Sequence, residues 1–356
     1  MPVVVVVCSI DPLSRSACSL TLGCDLPGGA SLGYDLHADG LHRTLSDSGG
    51  RLHSQVVLDL DHDCVDCTLR ADLVALLTGH DSVGDPLADL TGAALVITLP
   101  VATAPAPAVD AFELAGRGAP DAVVALVDGD TLIWDLLGDD LLDERGLAFG
   151  PTDRRAVGEV LAGQLLHADV VVASRPLSPS AATLVAHVAA PAARVTGLDD
   201  LHLTSRAAGV VTEADRARRG RLLDAAPSGA PDGHDVWTLD LTSERPFHPA
   251  RLHEALPILG GGPVRGRGHF WLPTRLGTAC GWDSAGGQLS IGALGPWRSR
   301  TPSTRLVVTG IDGDPDLLRE AFTHALVTAA EQRDTWLPAD GFDPWLGAPH
   351  PAWEAN

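Results

Sequence analysis

The chain has 356 residues, 45% of them hydrophobic, which is enough for two folded domains of ordinary size. Its formal net charge of −21 argues against direct DNA binding over the whole surface, because phosphate binding depends on clustered positive charge. No apolar run approaches the roughly 18 residues of a membrane span, and the N-terminal apolar run is too short for a signal peptide. We therefore expect no membrane association and a cytoplasmic location.

All 25 basic residues are arginine, so reactions that need a lysine side chain are excluded, including those of a normal Walker A phosphate site. The charge is uneven: residues 243–305 carry 8 arginines against 3 acidic residues, whereas residues 1–242 carry 15 against 34. We expect the arginines of this basic stretch to brace strands and loops. The alternative is a docking face for an acidic partner or for RNA.

In chain order, the first predicted element is the strand Val3–Val7, a β-branched run typical of a buried parallel strand. A loop and a short helix follow. In the register of the phosphate loop Gly-x-x-x-x-Gly-Lys-Thr, Ser14 stands at the second glycine, Arg15 at the lysine and Ser16 at the metal-binding hydroxyl. Arginine spreads its charge, and Pro12 removes an N–H donor from the loop. These positions are therefore expected to be vestigial, and GTP with Mg²⁺ is not expected to bind.

A segment rich in metal-binding side chains comes next. Cys64 and Cys67 are soft ligands three residues apart, and His62 and Asp66 add an imidazole and a carboxylate, which together make a zinc-type donor set. Leucines at helical spacing follow the thiols, so the thiols are placed at the start of a helix, whose positive end lowers a thiol pKa. Four histidines are candidates for a further ligand, and spacing does not choose between them: His37, His42, His53 and His62. For each one taken singly, a solvent-facing or capping role is favoured.

Two other interpretations of the thiols stay open. They are a pair of buried or capping thiols, or a redox Cys-x-x-Cys. The redox interpretation is disfavoured by the neighbouring carboxylates, which raise the pKa of a thiol and slow thiol exchange.

Residues 64–73, Cys-Val-Asp-Cys-Thr-Leu-Arg-Ala-Asp-Leu, resemble the Cys-x-Cys-Cys-Thr-x-Arg-x-Asp-Leu signature of the CobW-like family of metal-handling P-loop GTPases. Cys64 and Cys67 stand on the outer family cysteines and Asp66 on the middle one. The resemblance therefore makes Asp66 the stronger candidate for a third zinc ligand, in a site that binds zinc more weakly than three thiolates would.

Three later segments resemble nucleotide motifs of that family, and two of them have lost their key groups. Residues 98–105 keep only the proline of Glu-Thr-Ser-Gly-x-x-x-Pro, and the strand at residues 123–127 ends in Asp128, as the family's Val-Val-Asp strand does. In the guanine-reading motif, Ser174, Arg175 and Leu177 replace Asn, Lys and Asp, so the guanine N–H donors have no carboxylate to bond. The resemblance implies a degenerate G domain.

The second half of the chain resembles the CobW C-terminal domain. The resemblance rests on three motifs: Arg-Pro-Phe-His-Pro-x-Arg-Leu at 245–252, Arg-x-Arg-Gly-x-Phe-Trp-Leu at 265–272, and Trp-x-x-Ala-Gly-Gly from Trp282. This resemblance implies an α+β domain with a ferredoxin-like βαββ core. Three tryptophans close the chain, Trp336, Trp345 and Trp353. We expect them to clamp the tail onto this domain, the alternative being aromatic anchors for a partner.

The predicted fold is thus an α/β, degenerate P-loop NTPase-like domain with a parallel sheet, followed by a smaller ferredoxin-like α+β domain. The expected divisions are a G domain at 1–228, a linker at 229–234, a CobW C-terminal domain at 235–335 and a Trp/Pro-rich tail at 336–356. The remaining predicted helices span residues 151–167, 181–188, 213–223, 247–260 and 316–332, and the remaining predicted strands span 95–97, 236–241, 264–272, 278–283, 288–294 and 305–311.

For function, the resemblance implies a non-hydrolysing protein that binds or senses Zn²⁺ and acts through protein contacts. The branch it most resembles is actinobacterial and zinc-responsive, and includes proteins that recruit a ribosome hibernation factor, so the expected partner is a protein such as the ribosome or that factor. The alternative is an enzyme, a GTP-dependent zinc metallochaperone that hydrolyses GTP.

Overall fold

The computed structural model describes residues 3–26, 28–62, 64–79, 94–201, 218–331, 336 and 340–349. Its contacts define two compact units. The first unit consists of Met1–Leu132, Asp140–Ser178 and Ala189–Gly220, and the second consists of Ile133–Asp139, Pro179–Val188 and Arg221–Asn356. The division at residues 228, 234 and 335 stays a prediction.

The first sheet has its strands in the order β4-β3-β2-β5-β1-β6-β7-β8. The strands are β1 (Val3–Cys8), β2 (Ala30–His37), β3 (Gly40–Asp47), β4 (Leu52–Leu58), β5 (Ala94–Thr98), β6 (Ala122–Val127), β7 (Val170–Ala173) and β8 (Arg194–Gly197). The helices over this part of the chain are α1 (Pro12–Asp25), α2 (Val65–Thr78), α3 (Ala106–Leu114), α4 (Leu132–Leu137), α5 (Val157–His167) and α6 (Pro179–Val188). From β2 to β8 in that order, all neighbouring strands are parallel, and β3 and β4 add an antiparallel edge. The predicted α/β architecture with a mainly parallel sheet is confirmed.

The valine run of β1 lies in the middle of this sheet, paired with β5 on one side and β6 on the other. Val5, Val6 and Val7 are at most 1% exposed, as expected of a strand covered on both faces. Because the carboxyl ends of parallel strands meet at one edge, the loops after β1, β2, β5, β6 and β7 share that edge of the sheet. Every predicted nucleotide motif follows one of these strands.

The three-stranded segment β2–β4 has no counterpart in the sequence prediction. Its inward side chains alternate along β2, where Ala30, Leu32 and Tyr34 are buried. Gly40 turns the chain between β2 and β3 with a φ of +138°, and a Cβ there would lie 2.6 Å from the carbonyl oxygen of Leu58. A side chain at position 40 would therefore push β3 and β4 apart.

The predicted helix at 151–167 begins at Val157 instead. Asp153 explains the shorter helix, because its carboxylate accepts hydrogen bonds from the backbone N–H groups of Phe149 and Arg155 and from the Arg155 guanidinium. A side chain that satisfies local N–H groups in this way favours a turn over a helix. Residues 213–217 of the predicted helix at 213–223 lie outside the described residues, and at its other end Leu222–Asp224 forms a single 3₁₀ turn.

The second unit contains an antiparallel sheet in the order β12-β11-β10-β13-β9. Its further elements are β9 (Val236–Ser243), α7 (Pro249–Leu259), β10 (Val264–Phe270), β11 (Thr278–Ala285), β12 (Gln288–Pro296), β13 (Thr304–Ile311), α8 (Pro315–Ala325) and α9 (Asp343–Leu346). Strands β9 and β10 both pair antiparallel with β13, so they run parallel to each other with β13 between them. Helix α7 connects them, which gives the predicted βαββ order.

One face of this sheet carries the core of the unit. Phe247, Phe270, Trp282 and Leu306 are fully buried there, together with apolar side chains of α7 and α8. The predicted helix 316–332 ends at Ala325, because the chain then becomes extended and Val327 donates its backbone N–H to Pro246. Within the described ranges, no helix has both the length and the apolar character needed to cross a bilayer.

The start of the tail contacts the second unit. Trp336 makes an edge-to-face contact with His248, and Trp345 lies 5.7 Å from His253, between ring centroids. Arg275 is buried against the Asp340 carboxylate, with Nε to Oδ2 at 2.8 Å. The expectation that the tail folds back is confirmed for these residues, while Trp353 lies outside the described part.

Candidate functional site

Cys64 is the N-cap of α2. Its Sγ accepts a hydrogen bond from the backbone N–H of Cys67 at 3.2 Å, so a thiol takes the place that a serine or aspartate oxygen usually fills. Both thiols are half-buried. The Thr68 hydroxyl donates to the carbonyl of Cys64 and accepts the backbone N–H of Asp61, which fixes the turn ahead of the helix. The predicted position of the thiols at the start of a helix is confirmed.

The pKa of the Cys67 thiol lies above its ordinary value. The largest cause is its hydrogen bond with the Cys64 thiol, followed by loss of hydration and by repulsion from a charge on Cys64. The expectation that the helix end lowers a thiol pKa is therefore wrong for Cys67, whose pKa is raised chiefly by its hydrogen bond with Cys64. A zinc ion at this pair would have to displace a proton.

Asp66 does not join the thiols. Its half-buried carboxyl lies near the loop that contains Arg155 and Asp153, and burial raises its pKa despite the opposing charge of Arg155. Its Oδ1 is buried and accepts no hydrogen bond from the described residues. Helix geometry explains the separation, since the N-cap residue and the third helical residue are neighbours whereas the second helical residue points elsewhere.

His62 points into solvent. Its side chain is 93% exposed, its backbone is left-handed with a φ of +51°, and its Nε2 lies 3.5 Å from Asp61 Oδ1. Farther back, the rings of His37 and His42 lie 4.2 Å apart and tilted by 40° at the β2–β3 turn, and His53 pairs with Asp47. The structure brings none of the four candidate histidines to the thiols.

The fit to zinc therefore rests on the two thiols. Across the ranges that the structure describes, no three His, Cys, Asp or Glu side chains are grouped so that they could hold a metal ion. Two adjacent sulfur donors at a helix N-terminus suit zinc chemically, but a tetrahedral site needs four ligands. The described residues thus provide half of a site.

A buried ion pair holds α2 against the sheet. Arg43 of β3 donates from Nη1 to Asp72 Oδ1 at 2.7 Å, and the two side chains are 1% and 8% exposed. The Tyr34 hydroxyl donates to the other carboxylate oxygen of Asp72 at 2.6 Å. The aspartate of the cysteine signature thus positions the helix that carries the thiols.

The loop after β1 ends in a second capped helix. Asp11 is the N-cap of α1, and its carboxylate accepts the backbone N–H groups of Leu13 at 3.3 Å and Ser14 at 2.8 Å. Burial alone would raise the pKa of Asp11, but hydrogen bonds from Ser14 and Leu13 hold it below the ordinary value. In a phosphate loop such N–H groups face the phosphates. Here they face a carboxylate of the chain itself.

Arg15, in the register of the phosphate-loop lysine, points back into the protein. Its Nη1 donates to the carbonyl oxygens of Leu99 at 2.8 Å and Tyr34 at 3.2 Å, and its Nη2 pairs with Asp35. The residue is 8% exposed. Its charge is therefore used to join the carboxyl ends of β2 and β5.

The residues at the other predicted nucleotide positions are also buried or bonded within the chain. The Ser16 hydroxyl donates to the carbonyl of Pro12 at 2.9 Å, and Ser14 is buried. In the guanine-reading segment, Ser174 donates its backbone N–H to Val127. Arg175 pairs with Asp130 at 2.6 Å, and this hydrogen bond together with the charge of Asp128 raises the pKa of the guanidinium.

Sequence reasoning missed three residues that shape the two helix starts. Asp11 had a readable signal, because an aspartate directly before a proline at a helix start is a typical N-cap. Asp35 and Arg43 had none, since their roles depend on β2 and β3 lying beside the helices. Both strands belong to the segment that the periodicity did not reveal.

Comparison with known proteins places these observations in context. Residues 236–326 match the family described as the cobalamin synthesis protein cobW C-terminal domain. Three mycobacterial proteins are each 32% identical over 289 residues, which is 74% of this chain and 66% of theirs. They are the uncharacterised proteins Mb0109 of Mycobacterium bovis and MT0115 of Mycobacterium tuberculosis, and the zinc chaperone Rv0106 of Mycobacterium tuberculosis. The match spans slightly less than two thirds of the length of these relatives.

Two solved structures resemble the chain at low identity. One is the Zn(II)-bound YjiA GTPase from E. coli, with 14% identity and a TM-score of 0.39. The other is a Zn(II)-bound triple mutant of YjiA, with 15% identity and a TM-score of 0.40. Each alignment covers 91% of this chain and 99% of the other.

Proposed function

The chain belongs to the CobW-like family, and from that premise we propose that it is a zinc-binding or zinc-responsive protein. The observation that carries the proposal is the thiol pair at the start of α2, where Cys64 caps the helix and Cys67 lies one turn further on. The relative described as a zinc chaperone supports the same metal.

Zinc in this proposal is cargo or signal. The two thiols supply soft donors, and the other ligands come from water, a partner or residues outside the described part. A half-built site suits transfer, because a partner that adds ligands can take over the ion. The raised pKa of Cys67 makes zinc binding compete with protons, so affinity increases with pH.

The proposal includes an eroded GTP site. The Asp11 carboxylate already accepts hydrogen bonds from N–H groups at the start of α1. Arg15 donates hydrogen bonds to the carbonyls of Leu99 and Tyr34 and pairs with Asp35. A triphosphate placed there would meet the Asp11 carboxylate, and like charges repel. The chain therefore acts through protein contacts rather than by hydrolysing GTP.

The second candidate is a GTP-dependent zinc metallochaperone. It is favoured by the arrangement of β1, its loop and α1, which places Ser16 one turn after the first residue of α1, beside the edge where α/β proteins bind nucleotides. In this alternative Asp11 and Arg15 move aside when GTP and Mg²⁺ enter.

The expected partner is a ribosome hibernation factor, recruited when zinc is limiting, and the chain works in the cytoplasm. The partner comes from the sequence motifs of the zinc-responsive branch, and the location from apolar runs that are all shorter than a membrane span. The test is affinity purification of a tagged copy from zinc-starved cells, with the Cys64→Ser/Cys67→Ser variant as control. Absence of ribosomes and of the factor from the wild-type eluate contradicts this role.

The zinc proposal itself is tested by competition with a chromogenic chelator on the purified chain. We expect the wild type to take zinc from the chelator and Cys64→Ser/Cys67→Ser to lose this ability. The matched control is Cys24→Ser, which removes an exposed thiol on α1. Equal zinc affinity in the wild type and the double variant would overturn the proposal.

A further inference from the structure

The second unit contains a cavity that plays no part in the proposed function. It is open to solvent, measures about 650 Å³ and lies between the carboxyl end of β9 and the chain leading from β12 into β13. A volume of this size suits a small molecule. Its lining includes Arg300 and Arg305 of the basic stretch at residues 243–305.

Four of the eight arginines of that stretch bond to groups away from the cavity. Arg265 is buried beside Asp283, Arg275 is buried beside Asp340, and Arg251 forms two hydrogen bonds with Glu331. Arg245 donates to the carbonyl of Val327. For these residues the expectation that the arginines brace strands and loops is confirmed.

Two arginines differ because they line the cavity. The side chains of Arg300 and Arg305 are 48% and 33% exposed. Arg305 directs Nε and Nη2 at Asp240, and Arg300 directs its two terminal nitrogens at Leu223 and Asp224. A guanidinium has five N–H donors, so each keeps donors for an incoming oxygen, and surface ion pairs of this kind exchange partners easily.

Hydroxyl groups surround the two guanidinium groups. Thr242, Ser243 and Thr301 line the cavity, and within the described part of the chain no acceptor takes their hydroxyl protons. Ser243 Oγ instead accepts the backbone N–H of Arg245. Glu244 supplies the one carboxylate among the lining residues, in a chain whose net charge is −21.

One wall of the cavity is rigid and partly apolar. Trp297 is 6% exposed and meets His269 edge to face. His269 is in turn held by the carbonyl of Leu222 and by Ser303. Because a carbonyl only accepts, Nδ1 of His269 carries the proton, and in the neutral ring Ser303 donates to Nε2. A fixed indole beside the two arginines suits the organic part of a ligand.

We propose that this cavity binds a small molecule that carries a phosphoryl group. Phosphoryl oxygens accept several hydrogen bonds at once and match guanidinium and hydroxyl donors, and the indole wall favours an organic phosphate over the free ion. The site lies wholly in the second unit and depends neither on zinc nor on a nucleotide at α1.

In the test, the full chain is titrated with phenyl phosphate and calorimetry measures the heat of binding. The wild type is expected to show saturable binding. Thr301→Glu places a negative charge in the cavity without removing a described contact, and Arg300→Gln/Arg305→Gln removes both cations. Each variant is expected to bind about tenfold more weakly or worse.

Arg298→Gln is the matched control. Arg298 is an exposed arginine of the same loop that does not line the cavity, so its replacement should leave the affinity unchanged. Thermal unfolding of every variant checks the fold, and Thr301→Glu keeps the test valid if the double variant unfolds. The proposal is overturned by a wild type without saturable binding, by equal affinity in Thr301→Glu, or by an equal loss in Arg298→Gln.

Discussion

The starts of α1 and α2 are built alike and capped differently. Both helices begin at the carboxyl-end edge of the first sheet or beside it, and in both an N-cap side chain accepts a backbone N–H of the first turn. At α1 the cap is the Asp11 carboxylate, and at α2 it is the Cys64 thiol. The cap therefore decides what chemistry each helix end can perform.

At α1, a carboxylate of the chain itself accepts the free N–H groups of the first helical turn. Its charge complements the positive end of the helix dipole, and Arg15 beside it is neutralised by Asp35 and two carbonyl groups. Nothing at α1 calls for an external anion. The thiol at α2 is a weak acceptor next to a second thiol, so α2 offers its cap as a metal ligand. This difference is the structural basis of the proposed function, in which α2 binds zinc and α1 does not bind nucleotide.

The largest effect is expected from the anchor of α2. Asp72→Asn leaves the Arg43 guanidinium buried without this carboxylate, and should lower the free energy of unfolding by about 3–5 kcal/mol. Urea unfolding measures the loss. Asp39→Asn, on the exposed turn between β2 and β3, is the control and should change stability by less than about 0.5 kcal/mol. Similar losses in both variants would show that the buried pair does not fix α2.

A substitution at the thiol cap separates capping from metal binding. Serine is a good N-cap, so Cys64→Ser should change the free energy of unfolding by less than about 0.5 kcal/mol while weakening zinc binding by about 100-fold or more. Chelator competition and urea unfolding on the same preparation give the two quantities. Unchanged zinc affinity would mean that the thiol is only a cap, which is one of the interpretations left open by the sequence.

A smaller effect is expected at the carboxylate cap. Asp11→Ala should lower the free energy of unfolding by about 1 kcal/mol at neutral pH. Because the folded state holds the pKa of Asp11 below 3.8, the cap contributes its stability above that pH and loses it as the pH falls further. The difference between wild type and variant should therefore shrink in acid. A difference that stays constant down to pH 3 would contradict the assignment of the charge to the cap.

The smallest effect is expected at Ser16. Its hydroxyl bonds only the carbonyl of Pro12 among the described residues, so Ser16→Ala should leave stability within about 0.5 kcal/mol and zinc affinity unchanged. Ser19→Ala, one turn further along α1, serves as the comparison. A zinc affinity that falls in Ser16→Ala alone would indicate that the loop after β1 still takes part in metal handling.

The sequence predicted the elements whose signals are local. The valine run of β1 and the leucine spacing of α2 are readable without knowledge of their neighbours, and the thiol positions followed from them. The segment β2–β4 was missed because its apolar residues are mixed with polar ones along each strand. The predicted helix ends at Pro151 and Gln332 were wrong because Asp153 forms a turn and Val327 pairs with Pro246.

The candidate site was predictable in part for the same reason. Cys64 and Cys67 face each other because they are three residues apart on a helix, and the same spacing argument shows why Asp66 turns away. The contacts of Arg15 with Leu99 and Asp35 could not be predicted without knowing where β2 and β5 lie. A residue whose role is set by a distant strand cannot be assigned from its own segment.

Calorimetry of the wild-type chain with GTP and Mg²⁺ tests the central claim most directly. If Asp11 bonds the N–H groups at the start of α1 and Arg15 is held by Leu99 and Asp35, GTP should produce no saturable heat. This holds for zinc-loaded and zinc-free protein alike. A magnesium-dependent, saturable heat at one GTP per chain would contradict the claim and establish that the loop after β1 still binds nucleotide.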